Sequence, residues 1–363
     1  MRQIIAVALV AAITSVACAN DRIPFNVESV ASFNEPWAMA FLPEGDLLVT
    51  EKSGQLLLVS ADGETSDRID GVPEVDYGGQ GGLGDVALHP EFATNGVIYL
   101  SYAESGEDNT RGAAIARAVL DRDAGTLSEV SVIWRQFPKV TGKGHYGHRL
   151  LFDGDGYLWV SSGERQKFDP SQDMQSSMGK ILRLNDDGTA AEGNPFYDQG
   201  GVTAEIWSLG HRNPLGIDFD AEGRLWNSEM GPRHGDELNL VIKGENYGYP
   251  LVSNGRHYSG MPIPDHDTRP DLEAPKVWWD KTIAPGDLMF YDGDAFGDWN
   301  GDFFIPGLAS KALIRIEVDG DEAREAARYD MGKRLRGVEQ GPDGNIWVLE
   351  DQEGGRLLKL TPR

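Results

Sequence analysis

The 363-residue chain holds a single cysteine, Cys18, inside an apolar N-terminal stretch. That leaves no disulfide framework and no zinc site built on cysteine pairs. Long hydrophobic runs are missing too: past residue 20 nothing approaches the roughly 20 apolar residues that a membrane-spanning helix needs. Basic charge is scarce, with 33 Lys and Arg against 58 Asp and Glu and a formal net charge of -25. This balance argues against nucleic acid and against anionic membrane surfaces as partners. It also requires a local basic cluster wherever an anionic ligand is to bind. The hydrolase signatures H-E-x-x-H and G-x-S-x-G do not occur.

What is present begins with residues 1–20, which read as an export signal. Arg2 supplies a short positive region, residues 4–13 an apolar core, and Ala17-Cys18-Ala19 an A-x-A cleavage site. Residues 21–363 are then expected as one catalytic domain, periplasmic or secreted. A lipoprotein with Cys18 lipidated is the second reading, against which Ser15 stands where a leucine is usual.

From there on the chain repeats one unit: an alternating apolar strand, a turn rich in Gly, Asp, Pro and Asn, and a second apolar strand. Copies occupy residues 38–50, 85–100, 148–161, 215–227, 287–305 and 336–349. Turn dipeptides at Glu44-Gly45, Asp155-Gly156, Glu222-Gly223 and Asp343-Gly344 mark β-hairpins. The spacing leaves room for four short strands per copy. The expected fold is therefore all-β, a six-bladed β-propeller with four-stranded antiparallel blades, with residues 27–33 pairing into the last blade to close the ring. Trp159, Trp226 and Trp347 recur at one place in the hairpin and read as packing between blades.

Two motifs resemble sites but fail on context. Gly79 to Gly84 satisfies G-x-G-x-x-G, yet a strand follows it and no βαβ unit surrounds it. Asp153-Gly154-Asp155-Gly156 opens like a calcium loop without the closing glutamate, and it sits on a hairpin turn. Residues 206–250 are different. His211-Arg212-Asn213-Pro214 ends in a proline that stops any regular element, so Arg212 and Asn213 project from a loop. Gly231-Pro232 followed by Asp236 and Glu237 gathers carboxylates and backbone carbonyls, which suits a hard cation. Taken alone, such a charged loop is as readily structural as functional. An isolated histidine is more often structural as well, but His145 lies in a glycine-rich loop just before an innermost strand, where a propeller opens its channel. That position favours a general base.

Together these pieces resemble the soluble PQQ-dependent aldose sugar dehydrogenases, six-bladed quinoproteins related to soluble glucose dehydrogenase. The resemblance rests on GGQGGLGDVALHP, His145 ahead of GHRLLF, EIWSLGHRNP, GPRHGDELN, KGENYGYP, HYSG, Lys311 after FIPGLAS, and KRLRGV, in that order. It implies His145 as the base and Arg212 beside the reactive quinone carbonyl. It implies PQQ contacts at Gln80, Asn213, Tyr258, Lys311, Arg334 and Arg336. Calcium is implied at Glu237 and at Tyr247 through its backbone carbonyl, with the carbonyls of Gly231 and Pro232 serving the calcium that PQQ binds. The implied reaction oxidises the anomeric carbon of an aldose to a lactone and passes electrons to an unidentified external acceptor, in a monomer or homodimer.

The chain departs from the family pattern at Leu215, where relatives often carry glutamine, and at His148, which replaces a glycine. Two other classes use such propellers: metal-dependent lactonases, and non-catalytic modules that bind protein or glycan. Neither has need of Lys311, Arg334 and Arg336 converging on a trianion.

Overall fold

The computed structural model describes residues 23–363, so the segment expected to be an export signal and Cys18 lie outside the described residues. Six four-stranded antiparallel sheets form a ring. Their innermost strands are Pro36–Phe41, Leu83–Leu88, Gly147–Phe152, Pro214–Phe219, Met289–Phe290 and Leu335–Gln340, each packed against the next. All six expected hairpins are blades. Gly45, Gly156, Gly223 and Gly344 adopt the positive φ that their turns require. Residues 79–84 lead into the second blade's inner strand, and Asp153 closes a turn by accepting from the N–H groups of Asp155 and Tyr157.

Closure follows the expectation as well. Phe25–Asn34 pairs antiparallel with Glu353–Pro362 as the outer strand of the sixth blade, so the N-terminal strand completes the sheet that the C-terminus builds. The recurrent tryptophans pack across blade boundaries: Trp159 on Phe219, Trp226 on Phe303, Trp347 on Phe41. No helix among the described residues is long and apolar enough to cross a membrane.

The inner strands are joined by carboxylates as well as by apolar packing. Asp85, Asp218 and Asp287 each reach the backbone N–H of the next inner strand, at Leu150 (2.8 Å), Phe290 (2.6 Å) and Val338 (3.2 Å). Arg149 fills the middle of the channel. It donates to the carbonyls of Leu215 (2.7 Å) and Gly286 (2.8 Å) and pairs with Asp85 and Asp287. Residues before Arg149 on that strand face an upper cavity, and residues from Arg149 onward face a lower one.

Five of the six inner strands begin with a break in register. A bulge leaves residues unpaired and re-aims their side chains. At four of these breaks the skipped residues include Trp37, His148, Leu215 and Arg336, and all four line the upper cavity. The site is built where the regular ladder gives way.

Candidate active site

Two sets of residues reach the upper mouth: those that precede each inner strand, and those that follow the second strand of the same hairpin. Antiparallel pairing makes these one end of the blade. His145, Arg212 and Arg334 belong to the first set. Lys52, Glu164, Met230 and Asp351 belong to the second.

The upper cavity, of about 240 Å³, is lined by Lys52, Gln80, His148, Leu215, Arg334 and Arg336, among others. Asp351 lies between the two arginines, 2.8 Å from Arg334 Nε and 3.1 Å from Arg336 Nη2. Burial pushes its carboxyl up, and the arginines outweigh burial and hold it below the ordinary value. Lys52 Nζ donates to Glu35 and to the carbonyl of Gly79, both at 3.1 Å. His148 is fully enclosed, bonded to Ser101 Oγ at 2.7 Å and stacked on Trp37 at 4.9 Å. Burial, then Arg149, pushes its pKa down to about 3, so it is a neutral wall of this cavity.

A second pocket, of about 400 Å³, opens beside the first and is lined by His145, Glu164, Phe168, Arg212, Tyr249 and Tyr258, with Met261 at its rim. His145 Nδ1 lies 2.5 Å from Glu164 Oε1. Nδ1 therefore carries a proton and donates it to the carboxylate, which leaves Nε2 as the acceptor. The other carboxylate oxygen of Glu164 accepts from the N–H groups of Lys167 and Phe168. The loop it clasps is strained: Arg165, Gln166 and Phe168 all have positive φ, as do His145 and His148. Gly163 lets this loop close, because a Cβ there would stand 2.3 Å from the carbonyl oxygen of His145. Burial lowers the pKa of His145, Glu164 acts to raise it, and Arg212 adds to the lowering.

Gln80 links the upper cavity to the second pocket, and Arg212 lines both the second pocket and a smaller space below it. Gln80 Oε1 accepts from the N–H of His145 at 2.7 Å. Arg212 donates to the carbonyls of Met230 (2.9 Å) and Gly231 (2.5 Å) and approaches the Tyr258 hydroxyl at 3.5 Å, while its buried Nε has no partner. Asn213 is buried beneath, accepting from the N–H of Gly147 at 3.2 Å. Lys311 stands apart, on an exposed loop after Phe303–Pro306 and outside the cavity lining.

Below Arg212 is a third space of about 10 Å³, lined by Glu229, Gly231, Pro232, Glu237 and Tyr247, among others. Glu229 and Glu237 face one another across paired strands. Burial raises the Glu237 carboxyl well above its ordinary value, and the charge of Glu229 adds to this. Nearby, Asn239 Oδ1 is buried without a partner. Asp236 does not join this group, contrary to its promise as part of a cation site. Its carboxylate is saturated by Thr282 Oγ1 and the N–H groups of Gly231, Ile283 and Ala284, so it clasps two loops instead. The carbonyls of Gly231 and Tyr247 already accept from Arg212 and His266, each keeping a second lone pair.

Glu164, Asp351 and Lys52 were not singled out from the sequence. The available signal was positional: each is the first or second residue after a second strand, and so falls on the rim that carries His145 and Arg212.

A propeller whose mouth sets a cavity lined by three cations beside a histidine–carboxylate pair has the arrangement of an enzyme active site. The family model described as Glucose / Sorbosone dehydrogenase matches residues 33–359, and the chain belongs to that oxidoreductase family. Aldose sugar dehydrogenase YliI of Escherichia coli (strain K12) is 41% identical over 345 residues, covering 93% of each chain. The structure of the soluble E. coli aldose sugar dehydrogenase in its apo form superposes with a TM-score of 0.90, at 41% identity, over 93% of this chain and 100% of that one. The PQQ-bound aldose sugar dehydrogenase of Streptomyces coelicolor gives a TM-score of 0.77 at 28% identity, over 93% and 98%.

Proposed function

We propose that the protein is a periplasmic or secreted PQQ-dependent aldose sugar dehydrogenase that uses calcium, oxidises the anomeric carbon of an aldose to the lactone and passes the electrons to an external acceptor. The observation that carries this reading is the His145–Glu164 pair opening onto a sugar-sized pocket directly beside a cavity lined by Lys52, Arg334 and Arg336. The similarity to a PQQ-bound relative supports the choice of cofactor.

The residues present fit both groups. In a chain of net charge -25, the cations of the upper cavity supply the local positive field that a cofactor with three carboxylates requires. Gln80, Arg334 and Arg336 would hold it from the cavity wall. Asn213, Tyr258 and Lys311, which the family pattern also implies, do not line this cavity: Tyr258 lines the neighbouring pocket and Lys311 stands apart. Two buried carboxyl groups facing one another, an orphaned Asn239 Oδ1 and a space of single-ion size fit a hard cation at Glu237, Tyr247 and the Gly231-Pro232 carbonyls. When bound, PQQ supplies a two-electron acceptor whose carbonyl calcium polarises.

The chain's own residues do the rest. Aromatic and apolar faces at Phe168, Tyr249, Tyr258 and Met261 receive the sugar ring and exclude water. His145 Nε2 takes the proton of the anomeric hydroxyl, and Glu164 fixes the tautomer and stabilises the imidazolium that forms. Arg212 is held by two carbonyls in the wall of the His145 pocket, where its charge stabilises developing negative charge.

Reconstitution tests this reading. Apoprotein mixed with PQQ and calcium should reduce an artificial electron acceptor in an aldose-dependent manner. Absence of sugar-dependent reduction together with lactone hydrolysis would assign the propeller to the lactonase class instead.

A further inference from the structure

The wall of the upper cavity between the first and sixth blades carries features that the family motifs do not touch. Lys52 follows the second strand of the first blade, Leu47–Glu51, in an ordinary-looking turn. Its side chain is only 13% exposed, and its Nζ is held by one carboxylate and one carbonyl, Glu35 and Gly79. Glu35 is in turn bonded by the Tyr77 hydroxyl, and that bond, more than the one from Lys52, holds its carboxyl below the ordinary value. Glu35 thus stays ionised without depending on Lys52 alone.

The backbone here is strained as well. Glu35 (φ 49°) and Gln352 (φ 80°) both occupy the left-handed region without being glycine, and the N–H of Glu35 donates to the Gln352 carbonyl at 3.0 Å. Such conformations persist where the surrounding structure over-determines them, and they cluster at functional sites. Lys52, Glu35, Asp351, Arg334 and Arg336 all line the one cavity. Asp351 already neutralises much of the two arginines. The lining holds three cations against two carboxylates, a net charge of +1, and without Lys52 it would be neutral.

On the reading that the cavity takes PQQ, we propose that Lys52 is a further cofactor-binding residue, donating its ammonium to a cofactor carboxylate, and that Glu35 is its resident counter-ion, whose charge opposes the incoming anion. An ammonium has three donor hydrogens, and Glu35 and Gly79 engage two. The third is available for a ligand without breaking the resident contacts.

The two partners have opposite signs, and this separates a ligand-binding role from a merely structural ion pair. Calcium-loaded apoprotein is titrated with PQQ while quinone absorbance is followed, and the melting temperature is recorded without PQQ. Lys52→Met is expected to weaken binding by about 10- to 100-fold, the effect of one charge-assisted hydrogen bond. Lys52→Arg restores most of it. Glu35→Gln removes a competing anion, so binding is expected to be unchanged or tighter.

Lys52→Met within about threefold of wild type would overturn the proposal, and so would Glu35→Gln weakening PQQ as much as Lys52→Met does. If Lys52→Met does not fold, Glu35→Gln still decides, because a structural strut predicts weaker binding and a ligand predicts equal or tighter binding. Wild-type protein that binds no PQQ would overturn the function reading itself. Wild-type binding with these variant outcomes would overturn only the role of Lys52.

Discussion

Glu164→Gln removes the charge that orients His145 while keeping the side chain's shape. In the native site one carboxylate oxygen accepts from two backbone N–H groups, at Lys167 and Phe168, and the other accepts from His145 Nδ1. A glutamine has a single oxygen to share between these duties. Turned toward the backbone it satisfies two buried donors, and turned toward the histidine it satisfies one and leaves two orphaned at about 1–3 kcal/mol each. The oxygen therefore goes to the backbone, and the amide NH₂ faces His145 Nδ1.

That arrangement makes Nδ1 an acceptor and moves the imidazole proton to Nε2, the nitrogen needed as the base. The analogous change in a Ser-His-Asp triad lowers kcat by about 10⁴ through the wrong tautomer, and general-base catalysis as a whole is worth about 10²–10⁴. Turnover of Glu164→Gln should accordingly fall about 10²- to 10⁴-fold, close to the loss in His145→Ala, with PQQ affinity retained. Residual activity should show a shifted pH profile. Glu164 acts to raise the His145 pKa against burial, so its neutralisation lowers that pKa further and moves the acid limb of kcat to lower pH. Dye-linked turnover measured across pH, alongside a PQQ titration, gives both quantities. Turnover within about threefold of wild type and an unmoved acid limb would refute the dyad. A larger loss in His148→Ala than in His145→Ala would move the base to the other ring.

Arg336→Ala or Arg334→Ala should weaken PQQ binding by about 30- to 4,000-fold without unfolding the protein, since truncating one partner of a buried charged contact costs about 2–5 kcal/mol. The remaining arginine still holds Asp351, and equal affinities in an absorbance titration would contradict the cofactor assignment. Chelation should lower the melting temperature of the wild type, because a cation bound only by the folded state contributes about 2.7 kcal/mol at a hundredfold excess over its Kd. Glu237→Gln should melt lower in calcium and respond less to chelator. A melting temperature indifferent to chelator in both proteins would refute the buried cation.

Much of the fold is legible in the sequence, because period-2 alternation and turn dipeptides are local signals. The six hairpins, the closing strand and the inter-blade tryptophans could all be located from residues within about a dozen positions of each other. Parts of the site are legible for the same reason. The proline after His211-Arg212-Asn213 marks a loop, and in the structure Pro214 starts the inner strand just after it. Arg334 and Arg336 both line the upper cavity, and it is a break in strand register, not simple alternation, that aims Arg336 there.

The partners of these groups were not legible. Asp236 and Glu237 are adjacent in the chain, yet one is saturated by loop N–H groups and the other faces a carboxylate across a buried gap. Glu164 meets His145 from 19 residues away, and Asp351 meets Arg334 from 17. The sequence by itself determined the number of blades, how the ring closes and which loops crowd its mouth, because strand propensity and turn chemistry act over a few residues. Only the tertiary structure decided which charges pair and which polar groups stay orphaned. Those outcomes depend on distances of a few ångströms between loops of different blades and on burial, and a one-dimensional pattern records neither.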